Sequence, residues 1–358
     1  MRKFPIPFSR GRLRTYLAVA YALFIVYASL SPFSGWRTRS VAFSDVLTEP
    51  LLLQYTWLDV ATNLLAYLPF GLLLALAMRA YFSATWTVLF TALIGAALST
   101  SMEYLQMYLP TRISSNLDVL TNSSGAALGA LLAVGIAPSV WFTLHLMQWR
   151  RRLFHGGGKM DFGLALVVLW MFAQINPSLP MLNSVFISTM THALFAEAQT
   201  KPFIWMESVA VALNLLMLGT LLLTLLRKHH HAVSTLIGVL CLVALVKFAA
   251  AAILLKSWAL LLWLNSEAVL GIFIGILLLI AATRLSRILL LWCAAIVTLT
   301  YLVLAHWILD SSMPPATRRM YQWDYGHLLN YNDLSQFVAF IFPLIMLGYL
   351  WRIKNNPT

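Results

Sequence analysis

DVATNLLAYLPFGLLLALAM (residues 59–78) and SMEYLQMYLPTRISSNLDVLTNSSGAALG (residues 101–129) are the stretches whose reading decides the fold. Both are apolar segments interrupted by a few polar residues at helical spacing. Asp59 and Asn63 are four apart. Glu103 and Gln106 are three apart, with Ser99 one turn earlier. Asp118 and Asn122 are again four apart. On a helix each pair lies on one face. Only 12 of the 358 residues are acidic, and Asp59, Glu103 and Asp118 fall inside this stretch. Charges placed in hydrocarbon are expensive unless they are paired or serve a function. Arg112 lies in the connection between two of the segments.

Outward from this stretch, the chain is 61% hydrophobic and 10% charged, with a mean hydropathy of +0.81. A soluble chain carries roughly a quarter charged residues, and several runs here reach the ~20 residues that a spanning helix needs. The class is an all-α, polytopic integral membrane bundle. The net charge of +12 would suggest nucleic acid in a soluble chain. Here Lys and Arg gather in short loops, as the positive-inside rule requires, so no nucleic-acid partner is expected. Cys241 and Cys293 lie inside apolar runs and build no disulfide or metal framework. No Gly-rich phosphate loop, Ser-His-Asp arrangement or Cys/His metal pattern occurs, so neither metal nor cofactor is expected. The first apolar run is too long for a signal peptide and lacks a small-residue cleavage site, which reads as a retained helix.

The apolar runs predict about ten transmembrane helices, at about 15–30, 59–78, 86–108, 118–137, 160–175, 207–226, 233–254, 266–282, 288–308 and 334–351. Pro69 and Gly71 predict a kink in the second. An even count puts both termini on one side, and the basic bias makes that side cytoplasmic. Residues 1–152 form a four-helix domain, 153–159 a basic, Gly-rich linker, and 160–358 a second domain of about six helices. The halves read as a parallel four-helix repeat. Ser31-Pro32 and Asn176-Pro177 each close a first helix, Trp57-x-Asp59 matches Trp205-x-Glu207, and Gly125-xxx-Gly129 matches Gly271-xxx-Gly275, at a spacing of about 146 residues. On this reading the second copy has lost the chemistry of Glu103 and Arg112, and Lys247 is a buried partner within its helix.

With that topology the three polar pairs sit toward the extracytoplasmic ends of their helices, and Arg112 joins them at the same level. Gly125 and Gly129 let the fourth helix approach a neighbour closely. Two readings stay open. The polar groups are glue between helices, or Asp59, Asn63, Glu103, Gln106, Arg112, Asp118 and Asn122 form a binding site for a head group carrying phosphate or amine. Paired carboxylates could also serve as acid and base, so the residues alone do not separate binding from catalysis.

The ordered set Asn63-Leu-Leu-Ala-Tyr-Leu-Pro-Phe-Gly71, Glu103-Tyr-Leu-Gln106, Thr111-Arg112 and Asp118-Val-Leu-Thr-Asn122-Ser-Ser-Gly125-Ala-Ala-Leu-Gly129 resembles the VanZ-like membrane domain. The resemblance covers about 59–137 together with the first helix. It implies a helical bundle in the bacterial cytoplasmic membrane, in a family whose founding member is associated with low-level teicoplanin resistance. It implies no settled reaction. The expected function is therefore a multi-pass inner-membrane protein of the cell envelope. Its partners would be membrane lipids and an envelope precursor whose head group it engages at the periplasmic face. The alternatives are a lipid or small-molecule transporter or flippase, and a non-catalytic assembly or sensor subunit.

His229, His230 and His231 border Arg227 and Lys228 and read as a solvated loop, because three consecutive residues cannot all face one ion. His306, Asp310, Asp324, His327 and Asp333 read as an aromatic, interfacial segment that would become a lid if it folded over the first half.

Overall fold

The structure is a computed structural model that describes residues 12–31, 33–38, 42–49, 57–136, 148–179, 181–182, 203, 205–304 and 326–355. Most of these residues are helical, and among them the one non-helical pairing is an isolated bridge between Phe154 and Leu226. Two compact units result, Met1–Arg151 and Arg152–Thr358. The first contains α1 (Leu13–Leu30), α2 (Phe43–Thr48), α3 (Trp57–Met78), α4 (Ala84–Gln106) and α5 (Asn116–Ile136). The second contains α6 (Gly158–Gln174), α7 (Trp205–Leu225), α8 (Ala232–Leu254), α9 (Ser266–Ala282), α10 (Arg287–Val303) and α11 (Gly326–Asn355).

Seven of these helices, α1, α3, α4, α5, α7, α8 and α11, carry stretches long and apolar enough to cross a membrane, and α9 and α10 are apolar but shorter. At about 1.5 Å per residue, the 22 residues of α3 span roughly 33 Å, the thickness of a bilayer core. The sequence predicts about ten transmembrane helices, whereas seven of the described helices are long and apolar enough to span, and the chain differs from the expected element bounds at two further places. A short helix, α2, interrupts the loop after α1. The last helix begins at Gly326 instead of near 334. His306, Asp310 and Asp324, and the side chains of His327 and Asp333, lie outside the described residues. Pro69 sits inside α3, where its missing N–H leaves the Leu65 carbonyl without a helical donor.

Small residues build the first unit. A methyl group added at Gly125 would fall on the Leu64 carbonyl, one at Gly129 on the Leu68 carbonyl, and one at Gly71 on the Ala126 carbonyl. The α3 and α5 backbones are thus in direct contact, as small-xxx-small seams allow. Residue numbers rise together along the seam, so the two helices are parallel. α4 packs beside them, with Gly95 against Ala126. α1 lies along α3 in the opposite sense, since the Tyr21 hydroxyl donates to the Ala66 carbonyl at 3.0 Å and Arg14 to the Leu76 carbonyl at 3.2 Å. The core of this unit joins Ile25, Leu30, Tyr67, Phe70, Met102, Leu109 and Ala126.

In the second unit α7 is the hub. In its most apolar window 83% of the residues are buried, against 22% in α3, so protein and not lipid surrounds most of it. Its Asn214 is consistent with that position: Oδ1 accepts from Trp170 Nε1 and Nδ2 donates to the Leu182 carbonyl, both at 2.8 Å. A buried amide left without such partners would be costly.

Candidate functional site

One end of the first unit collects the end of α1, the start of α3, the end of α4 and the start of α5. The α4–α5 connection is set by capping. Ser115 precedes the first residue of α5, and its Oγ accepts the Leu117 N–H at 3.1 Å, the usual side-chain answer to an orphan helix donor. The Ser115 N–H in turn donates to Glu103 Oε2 at 2.9 Å. Ser114 Oγ donates to the Glu103 carbonyl at 2.7 Å. Glu103 is 3% exposed, so its carboxylate is held by the start of α5, where the helix dipole favours negative charge.

Two further bonds cross between helices. Asn63 Nδ2 donates to Asp118 Oδ1 at 2.8 Å, joining α3 to α5. Asn122 Nδ2 donates to Ser99 Oγ at 3.0 Å, joining α5 to α4. The carboxylates also feel one another: Glu103 lies in the field of Asp118 and of Arg112, and Asp118 in that of Asp59. Six of the seven residues singled out by the sequence are tied to this end by hydrogen bonds, and Asp59 joins them through the field it exerts on Asp118.

Arg112 and Gln106 turn toward α1. Arg112 donates to the carbonyls of Ala28 at 2.8 Å and Ser31 at 3.2 Å, and Gln106 Nε2 to the carbonyl of Ser29 at 3.0 Å. α1 must stop there because Pro32 follows, and its last carbonyls have no helical donors. A cation at a helix C-terminus is also favoured by the dipole. Burial lowers the pKa of the Arg112 guanidinium, and the Glu103 carboxylate opposes that shift.

The sequence reading missed Tyr67, Ser115 and Asn116. Tyr67 is 4% exposed and lies in the fields of Glu103 and Asp118, beside Ser99. Its hydroxyl has only the Ser99 hydroxyl near it, and Asn122 Oδ1 makes no hydrogen bond. The signal was present: Asp59, Asn63 and Tyr67 continue one helical face at intervals of four. Asn116 fastens α2 over this end, its Nδ2 donating to the Glu49 carbonyl at 2.6 Å, while Phe43 packs edge-on against Tyr104 at 5.4 Å.

The arrangement offers carboxylate oxygens, a phenol and an amide oxygen at one end of a helical bundle, with the Arg112 donors directed at α1. Among the described residues no group of three or more His, Cys, Asp or Glu could hold a metal ion. No curated protein and no solved structure matches the chain. A family model does: residues 14–141 match the one described as VanZ/LLP1. That span takes in α1 and α3 to α5, and with them every residue of the candidate site, so the first unit is similar to the VanZ-like family.

Proposed function

We propose that this end of the first unit binds the primary ammonium of an envelope lipid or lipid-linked cell-wall precursor, at the periplasmic face of the bacterial cytoplasmic membrane. One observation carries the reading. Two buried oxygens lie at this end: Asn122 Oδ1, which makes no hydrogen bond, and the Tyr67 hydroxyl, which has only Ser99 beside it and lies in the fields of Glu103 and Asp118. An ammonium has three donors and no acceptor, and the group supplies acceptors. A phosphate would need donors, and Arg112 donates to the α1 carbonyls of Ala28 and Ser31. The family-level link of VanZ-like proteins to glycopeptide resistance supports an envelope ligand. The crowding of Lys and Arg into the opposite loops supports the periplasmic side.

A transport path would need polar groups along the bundle. The other half of the α3–α5 seam instead buries Ala75, Ala130 and Ala133 among Leu72, Leu76 and Val88, which favours binding at one level.

The test is lipid retention by purified full-length protein in nanodiscs of phosphatidylethanolamine and phosphatidylglycerol. Phosphatidylethanolamine should be retained preferentially. Tyr67→Phe and Asp118→Asn should each weaken that preference about tenfold, the equivalent of about 1.4 kcal/mol. Equal retention of both lipids, unchanged in the variants, would sink the reading.

A further inference from the structure

The second unit repeats the first in ways that reach its polar residues. α7 and α9 are parallel, as α3 and α5 are: Gly271 meets the Ser208 carbonyl and Gly275 lies against Ala212 and Leu215. In each unit the first helix of the pair opens Trp-x-acid, at Trp57 and Trp205, and the second carries Gly-xxx-Gly. Each pair is tied near its N-terminal end by an amide and a carboxylate. In the first unit Asn63 donates to Asp118 at 2.8 Å. In the second Asn265 Nδ2 reaches Glu207 Oε2 at 3.4 Å, so the amide and the acid have exchanged helices. Asn265 also caps α9, its Oδ1 accepting the Ala268 N–H at 2.8 Å.

The cation is retained as well, from a different place in the chain. Lys247, 1% exposed on α8, donates to the Gln174 carbonyl at the end of α6 at 3.1 Å. Arg112 donates to the Ala28 carbonyl at the end of α1. Ala28 and Gln174 stand at the same spacing of about 146 residues that relates the glycine pairs. The expectation that the second copy has no counterpart to Arg112 came from aligning sequence, where a loop Arg and a helix Lys do not coincide. In space both close the C-terminus of the helix that precedes their pair.

Four polar residues then cluster where α7 and α9 begin. Glu207, Asn265 and Glu267 are 6%, 5% and 4% exposed, and Ser208 is 1% exposed. Ser266 donates to Glu267 Oε2 at 2.8 Å. The Ser208 hydroxyl, on the α7 turn that meets Gly271, has no hydrogen-bond partner. In this it is like the unpartnered Asn122 Oδ1 of the first unit. Helix adhesion alone does not require two buried carboxylates beside an unsatisfied hydroxyl, since apolar packing would hold the same seam.

We propose that the second unit is a structural copy of the first and holds a second primary-ammonium site at Glu207, Ser208, Asn265 and Glu267, with Lys247 as the positioning residue that Arg112 is in the first. The inference rests on the ammonium reading of the first site.

Counting bound lipids separates the two. Native mass spectrometry of the full chain released from mixed phosphatidylethanolamine and phosphatidylglycerol nanodiscs should find two retained phosphatidylethanolamines. Glu207→Gln and Ser208→Ala should each leave one, and Asp118→Asn should leave the other one. Asn265→Asp keeps a good cap but loses the amide donor, so it tests the site in a variant with the helix start preserved. Lys247→Met should also leave one, with Lys247→Arg restoring two. In phosphatidylglycerol nanodiscs, soluble ethanolamine should occupy the same two sites if a free amine is the natural ligand, and neither if only the lipid is. One retained lipid, lost in Asp118→Asn and untouched by the second-unit variants, would overturn this inference and leave the first site standing. No selective retention at all would overturn both.

Discussion

Asn63 on α3 donates to Asp118 on α5 at 2.8 Å, two turns along α5 before Gly125 lies against the Leu64 carbonyl. The bond and the seam depend on each other. The amide reaches the carboxylate because no side chain keeps the backbones apart. In hydrocarbon, an interhelical bond of this kind contributes about 0.6 to 2 kcal/mol. A double-mutant cycle with Asn63→Ala and Asp118→Ala, read by chemical denaturation in detergent, should give a coupling energy in that range. Additive effects would mean that the two side chains do not cooperate in the membrane-embedded protein.

Gly129→Leu should be the most damaging single change in the first unit. Even a methyl group there would fall on the Leu68 carbonyl, so α5 must move away from α3. Overpacking typically costs about 1–3 kcal/mol, and here it also disrupts the bond between Asn63 and Asp118. The folded fraction on size-exclusion chromatography should fall sharply. Gly135→Leu, where nothing lies within contact distance of an added Cβ, should be tolerated.

Glu103 allows two of its roles to be separated. Glu103→Gln keeps a side-chain oxygen that accepts the Ser115 N–H, so stability should change little while ammonium binding weakens. Glu103→Leu leaves that buried donor unmatched, at about 1–3 kcal/mol. Thermal stability should therefore rank wild type and Gln together, above Leu. Lipid selectivity should instead place Gln with Leu.

Arg112→Met should loosen the end of α1 without unfolding the bundle. Amide hydrogen exchange in residues 28–31 and in the loop through Arg37, whose N–H donates to the Tyr108 carbonyl at 2.9 Å, should speed up. Exchange within the α3–α5 seam should not. Uniform acceleration through the unit would instead assign Arg112 to the core of the fold.

Helix periodicity and the positions of proline made most of the fold legible in the sequence. The apolar runs around Asn63, Glu103 and Asp118 predicted their helices to within a few residues, because transmembrane length and composition are strong constraints. Gly125 and Gly129 announced the seam. Other features depended on distance in space. α2 is six residues long, too short for a periodic signal, and is held by Asn116 and Tyr104 from a distant part of the chain. Arg112 read as a charge for the carboxylates because it lies between Glu103 and Asp118 in sequence. The carbonyls of Ala28 and Ser31 that receive it carry no side-chain signature. Tyr67 was not singled out in the sequence, although its spacing from Asn63 already placed it on the polar face.

The central claim is contact between an ammonium and the carboxylates at the end of α3, α4 and α5. Rotational-echo double-resonance NMR measures that contact directly, using nitrogen-15 phosphatidylethanolamine and full-length protein labelled with carbon-13 at Asp and Glu side-chain carboxyls. The expected result is dephasing from a hydrogen-bonded contact, reduced in Asp118→Asn and in Glu103→Gln while both variants stay folded. Folded wild-type protein giving no dephasing, or dephasing that survives both substitutions together with Glu207→Gln and Glu267→Gln, would contradict it.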